Sequence, residues 1–174
     1  RSKGRQPLAD HRTEFEVSYE PGELLAVAYT AQTETDRQAV RTAGPVSRLR
    51  AGTDRSVINA TAGDLAYVSL TLTDANGICH PAADRPVRLE VAGDGVLAAF
   101  GSARPSTDEC FDGPEHRTYE GRALAILRPT GPGEIRLIAS APDCEPATVA
   151  VTVQDNGHGG AASSAGPVRP ASPN

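Results

Sequence analysis

The side chains best suited to chemistry lie in three polar segments, residues 74–86, 101–120 and 141–146. These segments contain every cysteine and two of the four histidines: Cys79, His80, Cys110, His116 and Cys144. Thiolate and imidazole groups are ligands that zinc accepts, so one hypothesis is a metal site built from these residues. The closely spaced cysteine pair of most zinc sites is missing, and we favour a disulfide between two of the cysteines, or three solvated thiols. We therefore predict no metal and no cofactor.

A second candidate is a group of carboxylates crowded into one loop: Asp108, Glu109, Asp112, Glu115 and Glu120. Two carboxylates about 5 to 9 Å apart can serve as acid and nucleophile in glycoside cleavage. Carboxylates also bind Ca²⁺, but the alternating spacing of a calcium loop is missing. We favour a solvated acidic loop that pairs with Arg104, Arg117 and Arg122, because most surface charge is only solvated. No G-x-S-x-G elbow and no Cys–His signature occurs, and we assign no catalytic residue.

Two aromatic residues stand in the same loop. Phe111 and Tyr119 are expected to pin it onto the underlying domain, and the functional alternative is a platform on which a sugar stacks. With His116 they are the candidate contacts to a glycan or to another domain.

The elements that would position these loops are β-strands. Alternation of apolar and polar residues is clearest at Ala66, Val68, Leu70 and Leu72, which is the pattern of a half-buried strand. Short alternating runs separated by turn signals recur along residues 45–154 and predict an immunoglobulin-like β-sandwich. The predicted strands are 46–57 (broken), 65–73, 87–92, 96–100, 122–128, 134–140 and 147–153. A hydrophobic content of 39% with only 4% aromatic residues fits a thin core of small aliphatic side chains.

Successive strands of such a sandwich alternate in direction. The three polar segments then lie at one end, together with the entry at 44–45, whereas the turns at 60–63, 93–95 and 129–133 lie at the other end. All the candidate residues would therefore face whatever precedes residue 45.

Residues 1–44 form a smaller β-pattern of their own. Alternation predicts a hairpin over 23–30 and 35–42, preceded by a strand at 14–18. Too few strands precede Gly44 to close a core, so this segment is expected to be the C-terminal part of a second β-sandwich in a longer polypeptide, with Arg1 an internal position. Residues 155–174 are rich in Gly, Ala, Ser and Pro and are predicted to be a disordered tail.

The bulk composition excludes several classes of protein. The net charge is −5 and the sequence contains no Lys/Arg block, so nucleic acid is not expected as a partner. No apolar run reaches the roughly 20 residues of a membrane span. The chain is too short and too poor in helical pattern for a (β/α)₈ barrel. The compartment is left open, with a secreted or cell-surface location slightly favoured.

Specific stretches resemble a known family. The stretches EFEVSYEPGEL (14–24), AVAY (26–29) and VRTAG (40–44) are similar to the accessory β-sandwich that follows the catalytic barrel in bacterial family 2 glycoside hydrolases, especially β-galactosidases. Further pieces resemble the C-terminal immunoglobulin-like, invasin-type module of the same enzymes: GDLAYV (63–68), DANG (74–77), VAGDG (91–95), Phe111, YEGRAL (119–124) and GEIRLIAS (133–140).

The resemblance implies a bacterial parent that hydrolyses terminal β-galactosides with retention, through two glutamates on an upstream barrel that have no counterpart here. The predicted function is thus a non-catalytic accessory region that packs on the catalytic domain or on a second subunit. Two alternatives stay open. One is an extracellular adhesion or spacer repeat, and the other is a carbohydrate-binding module that uses Phe111, Tyr119 and the acidic loop.

Overall fold

A computed structural model describes residues 1–61 and 63–155, which contain eleven strands and no helix. The strands are β1 (Glu23–Thr30), β2 (Thr33–Arg41), β3 (Arg48–Thr53), β4 (Val57–Asn59), β5 (Ala66–Thr73), β6 (Pro86–Gly93), β7 (Gly95–Gly101), β8 (Glu115–Arg117), β9 (Arg122–Pro129), β10 (Gly133–Ser140) and β11 (Ala147–Gln154). Apart from Asp155, the predicted disordered tail lies outside the described residues.

Strands β3 to β11 build a two-layer sandwich. One sheet has the order β3-β5-β9-β7 and the other has the order β4-β11-β10-β6-β8. The seven long strands are, in chain order, β3, β5, β6, β7, β9, β10 and β11. The first, second and fifth of these (β3, β5 and β9) are adjacent in one sheet, which is the immunoglobulin-like topology. The predicted all-β, immunoglobulin-like fold is confirmed.

The predicted break in the first strand has a structural meaning. Strand β3 pairs antiparallel with β5 in one sheet, whereas β4 pairs parallel with β11 in the other sheet. The chain changes sheets between Thr53 and Val57, where the Thr53 hydroxyl donates to the carbonyl of Arg55. This single segment therefore closes one edge of both layers.

The core lies between the two sheets and consists mainly of every second residue of the strands, except that β7 has a bulge between Leu97 and Ala99 and buries only Phe100. On β5 the side chains of Ala66, Val68, Leu70 and Leu72 are fully buried. Strand β10 contributes residues 135, 137 and 139 in the same way, and Phe100 is the only aromatic residue in the apolar core of the described chain. The strict period of two explains why the strands were recognisable in the sequence.

A glycine turn connects β6 to β7 across the two sheets. Gly93 has φ +88°, and a Cβ at this position would collide with the backbone carbonyl of Glu134 on β10. A side chain is thus excluded by both conformation and space.

Residues 1–44 contain the predicted hairpin and depart from the prediction upstream of it. Strands β1 and β2 are joined by Ala31 and Gln32, both at positive φ, which is typical of a two-residue type I′ turn. The predicted strand at 14–18 is wrong, because residues 13–20 are irregular. The alternation there is real, but no neighbouring strand among the described residues offers hydrogen bonds to that backbone.

We predict that Leu137→Ala lowers the free energy of unfolding by about 3 to 5 kcal/mol, as expected when a buried leucine leaves a cavity. Leu137 is fully buried in the centre of the sandwich, between Val91 and Val149 on the neighbouring strands. Urea unfolding measures the loss. Ile138→Ala, at the adjacent half-exposed position, is the control and should cost about 1 kcal/mol. Equal losses in the two variants would contradict this core.

Candidate functional site

The three polar segments meet at one end of the sandwich, as the strand directions predicted. Cys79 forms a bridge with Thr73, and its Sγ lies 3.9 Å from the carbonyl oxygen of Glu120. The guanidinium of Arg85 donates to the carbonyl of Pro142 at 2.7 Å. We call this region the loop end.

Asp74 connects the loop end to the segment that enters the sandwich. Its Oδ2 accepts a hydrogen bond from the backbone N–H of Gly44 at 2.9 Å, and its Oδ1 accepts from the N–H groups of Asn76 and Ile78, both at 2.9 Å. The residue is only 3% exposed. Hydrogen bonds from Gly44, then Ile78, hold the pKa of the Asp74 carboxyl below its ordinary value, because they favour the charged form.

His116 lies beneath the long loop and is 2% exposed. Its ring stacks on Phe111 with centroids 5.7 Å apart and meets Phe100 edge to face at 5.8 Å. Nδ1 lies 3.0 Å from both the Oε2 of Glu109 and the carbonyl oxygen of Arg117. Since both neighbours are acceptors, we assign the ring hydrogen to Nδ1. His116 therefore fastens the loop from below and is not presented to solvent.

The two predicted aromatic pins occupy different positions. Phe111 covers His116, its carbonyl accepts from the N–H of Phe100 at 2.7 Å, and its ring is still 51% exposed. Tyr119 is partly buried, with the guanidinium of Arg104 lying 5.2 Å from its ring centroid. A glycan or domain contact through Phe111 and Tyr119 stays a prediction, whereas His116 is buried below them.

The acidic loop was expected to pair with Arg104, Arg117 and Arg122, and this prediction is wrong because the loop carboxylates do not pair with these arginines in the structure. Arg104 and Arg117 both pair with Asp84, Arg117 Nε at 3.5 Å from its Oδ1. Glu109 contacts His116 instead of an arginine. Arg122 lies on β9 and forms no ion pair with any residue that the structure describes. The loop folds back towards the segment 74–86, so a carboxylate from that segment reaches the arginines first.

Cysteine chemistry is limited to single thiols in the structure. Cys79, Cys110 and Cys144 are all free, and Cys110 is exposed. Cys144 packs against the core and lies 3.6 Å from a guanidinium nitrogen of Arg85. Across residues 1–61 and 63–155 no three His, Cys, Asp or Glu side chains lie close enough to hold a metal ion.

Three contributors to the loop end were missed in the sequence. Strand β8 is only three residues long and was included in the loop, although its alternation places His116 inwards beside Val87. Thr118 is fully buried, accepts from the N–H of Arg85 at 3.0 Å and donates to the carbonyl of Ala83 at 3.2 Å. Asp74 stands at the start of DANG (74–77), a stretch that gives no sign of its distant partner Gly44. A buried threonine or aspartate has no distinctive sequence signal, because its partners are distant in the chain.

Together these contacts define a class of protein: an immunoglobulin-like sandwich whose loop end is held together by structural contacts. No helix long and apolar enough to cross a membrane occurs in the part of the chain that the structure describes.

Comparison with known proteins gives the family. The chain belongs to the family described as glycoside hydrolase family 2 C-terminal domain 5, whose model matches residues 49–150. The chain is 26% identical over 152 residues to the β-galactosidase BoGH2A of Bacteroides ovatus, which covers 87% of this chain and 18% of that protein. The chain thus spans about a fifth of the length of the curated relative it matches.

Solved structures agree with this assignment. A family 2 glycosyl hydrolase from Bacteroides cellulosilyticus matches with a TM-score of 0.77 and 30% identity, over 81% of this chain and 18% of that chain. A β-glycosidase from Bacteroides vulgatus matches with a TM-score of 0.73 and 18% identity, over 79% of this chain and 18% of that chain. The second likeness concerns the fold alone.

We predict that Asp74→Asn destabilises the protein at neutral pH and loses this effect in acid. An amide keeps only one acceptor oxygen for three backbone donors. Because the folded pKa is lowered, the contribution of the carboxylate is complete above its ordinary value of 3.8 and disappears as the pH falls through the lower folded value. Urea unfolding of wild type and variant between about pH 6 and about pH 2.5 measures the difference.

The exposed Asp112 provides a matched control. Asp112→Asn removes the same charge without removing a described hydrogen bond and should leave stability unchanged. If the difference in free energy of unfolding between wild type and Asp74→Asn does not become smaller in acid, the charged state assigned to Asp74 is contradicted.

We predict that Phe111→Ala releases the long loop. The variant removes the ring that covers His116, so backbone amides in 102–114 should exchange hydrogen faster, with a loss of about 1 to 2 kcal/mol for a half-exposed aromatic side chain. Hydrogen exchange followed by mass spectrometry measures this. Leu124→Ala, which truncates a similarly exposed side chain on β9, should leave exchange in 102–114 unchanged. Unaltered exchange in the Phe111 variant would show that the ring is not the pin.

Proposed function

We propose that this chain is a non-catalytic C-terminal accessory region of a β-galactosidase-like family 2 glycoside hydrolase, and that it acts by packing against other domains of the same polypeptide or against a second subunit. The parent enzyme cleaves O-glycosidic bonds through residues that lie elsewhere. Family membership and the small share of the relatives' length that the chain covers support this proposal.

The observation that carries the proposal is the β1–β2 hairpin. It is a two-stranded sheet with no further strand beside it in the described chain. Apolar side chains stand exposed on it, with Leu24 48%, Leu25 42% and Val40 67% exposed. An isolated hairpin is at best marginally stable in water, and an unpaired edge is a template for another strand. The hairpin is thus suited to pairing with a partner sheet.

The segment before the hairpin covers it only in part. Arg5 lies over the ring of Tyr29, with 4.8 Å between its guanidinium carbon and the ring centroid, and Lys3 pairs with Glu20 at 2.9 Å. Tyr19 remains 77% exposed. The Lys3–Glu20 pair lies within the preceding segment, and both contacts are at the surface, so the exposed apolar side chains of the hairpin are left for a partner.

The loop end supports the same assignment for a different reason. Phe111 and Tyr119 lie at the end of the sandwich where the chain enters from residues 1–44. A domain that precedes the sandwich in the polypeptide would meet these residues first. The aromatic residues would then act as a domain contact, and the free thiol of Cys110 beside them would have no catalytic role.

We predict that this chain alone does not hydrolyse a chromogenic β-galactoside, and that the hairpin becomes ordered when the remainder of the polypeptide is added. Amides in 23–41 should exchange within seconds in the isolated chain, whereas those of β5 and β10 exchange slowly. Mixing with the remaining part should slow exchange in 23–41 and raise the activity or heat stability of that part. Hydrogen exchange and hydrolysis rates measure these effects.

Leu25→Asp should abolish the rise in activity or heat stability on mixing, because the substitution places a charge on the hairpin surface that pairs with the partner. Val96→Asp, at a similarly exposed position on edge strand β7, is the matched control and should preserve the gain. Strong protection of 23–41 in a proven monomer would contradict the packing role, and hydrolysis by the chain alone would contradict its non-catalytic nature.

A further inference from the structure

The two outer faces of the sandwich differ in charge although the chain is acidic overall. The five-stranded sheet contains three arginines and three glutamates: Arg88, Glu90, Glu115, Arg117, Glu134 and Arg136. The four-stranded sheet contains four arginines and no acidic residue in any strand: Arg48, Arg50, Arg122 and Arg128. Since the inward positions are apolar, all four arginines belong to the outer face. We call it the arginine face.

The arginines are arranged in register with a row of hydroxyl groups. Arg50 on β3 lies opposite Thr71 on β5, and Thr71 lies opposite Arg122 on β9. With neighbouring strands about 4.8 Å apart, the two arginine Cα atoms are about 10 Å apart with Thr71 midway. The guanidinium of Arg50 lies beside Gly77 in the structure, and the side chains of Arg50 and Arg122 are both long enough to reach a ligand placed over this threonine. Ser69 and Thr73 continue the hydroxyl row along β5.

Neither of these two arginines is neutralised. Arg50 and Arg122 form no ion pair with any residue in 1–61 and 63–155, whereas Arg48 contacts Glu145 at 3.6 Å. Glu145 is thus the carboxylate of the described residues that pairs with an arginine of this face. Arg128 is unpaired as well in the described part of the chain, so three positive charges of the face are left for an anionic partner.

Two shallow hollows of about 320 and 260 Å³ meet at Arg50 and Gly77. The guanidinium of Arg50 lies beside Gly77, where a Cβ would approach its Nη1 to 2.9 Å. The smaller hollow is lined by the hydroxyl row. Thr73 is buried at 2% exposure, whereas Ser69 and Thr71 are more exposed, so the hydroxyl groups of Ser69 and Thr71 can reach a ligand in this hollow.

We propose that the arginine face binds an acidic polysaccharide through a uronate residue. The carboxylate pairs with Arg50 and Arg122, since a guanidinium matches a carboxylate in geometry and charge. The ring hydroxyls bond to Ser69 and Thr71. The combination of free guanidinium groups with a hydroxyl row favours a sugar acid over an acidic peptide, which would use only the arginines. Binding here is independent of the hairpin and of its proposed packing role.

The test measures binding of the 174-residue chain to an oligogalacturonate by calorimetry, beside a neutral galactan oligosaccharide, poly-L-glutamate and duplex DNA. The oligogalacturonate should bind most tightly and the neutral oligosaccharide least. Arg50→Gln and Arg122→Gln should each weaken oligogalacturonate binding about tenfold or more, as expected for a lost charge-assisted hydrogen bond. Arg136→Gln, on the opposite face, removes the same charge and should change oligogalacturonate binding less than twofold.

Thr71→Val separates a sugar site from a simple cationic surface. The substitution keeps the shape and removes the hydroxyl, so it should weaken oligogalacturonate binding several-fold and leave poly-L-glutamate binding unchanged. The proposal is overturned by binding of poly-L-glutamate or DNA as tight as that of oligogalacturonate. Equal effects of the Arg50 and Arg136 variants, or no binding of oligogalacturonate, would also overturn it.

Discussion

Every strand of the sandwich obeys the pleat of an extended chain, which sends alternate side chains to opposite faces. Between the sheets this requirement places apolar residues such as Leu70 and Leu137 in the core. The outward-facing positions of the strands do not have to be apolar, so their residue types can differ between the two outer faces. The mixed charge of one face and the arginines of the other follow from this freedom. Core and surface are thus two consequences of one geometric constraint.

The loop end shows how a sandwich supports long connections without regular structure. Backbone groups that leave a sheet still need hydrogen-bond partners, and here a few polar side chains supply them. Asp74 accepts hydrogen bonds from three backbone N–H groups. The hydroxyl of Thr118 forms hydrogen bonds with the backbone of Ala83 and Arg85. Phe111 then stacks on His116 and covers it. The residue types that suggested metal binding or acid–base chemistry are used to build the fold.

The hairpin and the sandwich differ in how complete they are. The sandwich has two layers with a buried apolar core between them, and side chains such as Val96 are exposed on its outer faces. The hairpin contains no buried residue, and apolar side chains such as Leu25 and Val40 are exposed on it. The chain belongs to a glycoside hydrolase family 2 C-terminal domain family and spans 18% of the β-galactosidase that it matches. Residue 44 joins the two parts, and its N–H is bound by Asp74.

The sequence alone determined the fold class, the long strands and the end of the sandwich at which the loops meet, because a period of two and turn residues such as Asn76 and Gly77 are local signals. It misplaced a strand at 14–18, since alternation does not guarantee a pairing partner. Only the tertiary structure decided that His116 is buried, that Asp84 takes the loop's arginines, and that Arg50 and Arg122 share one face. Those outcomes depend on which distant strands become neighbours, and local residue patterns do not contain that information.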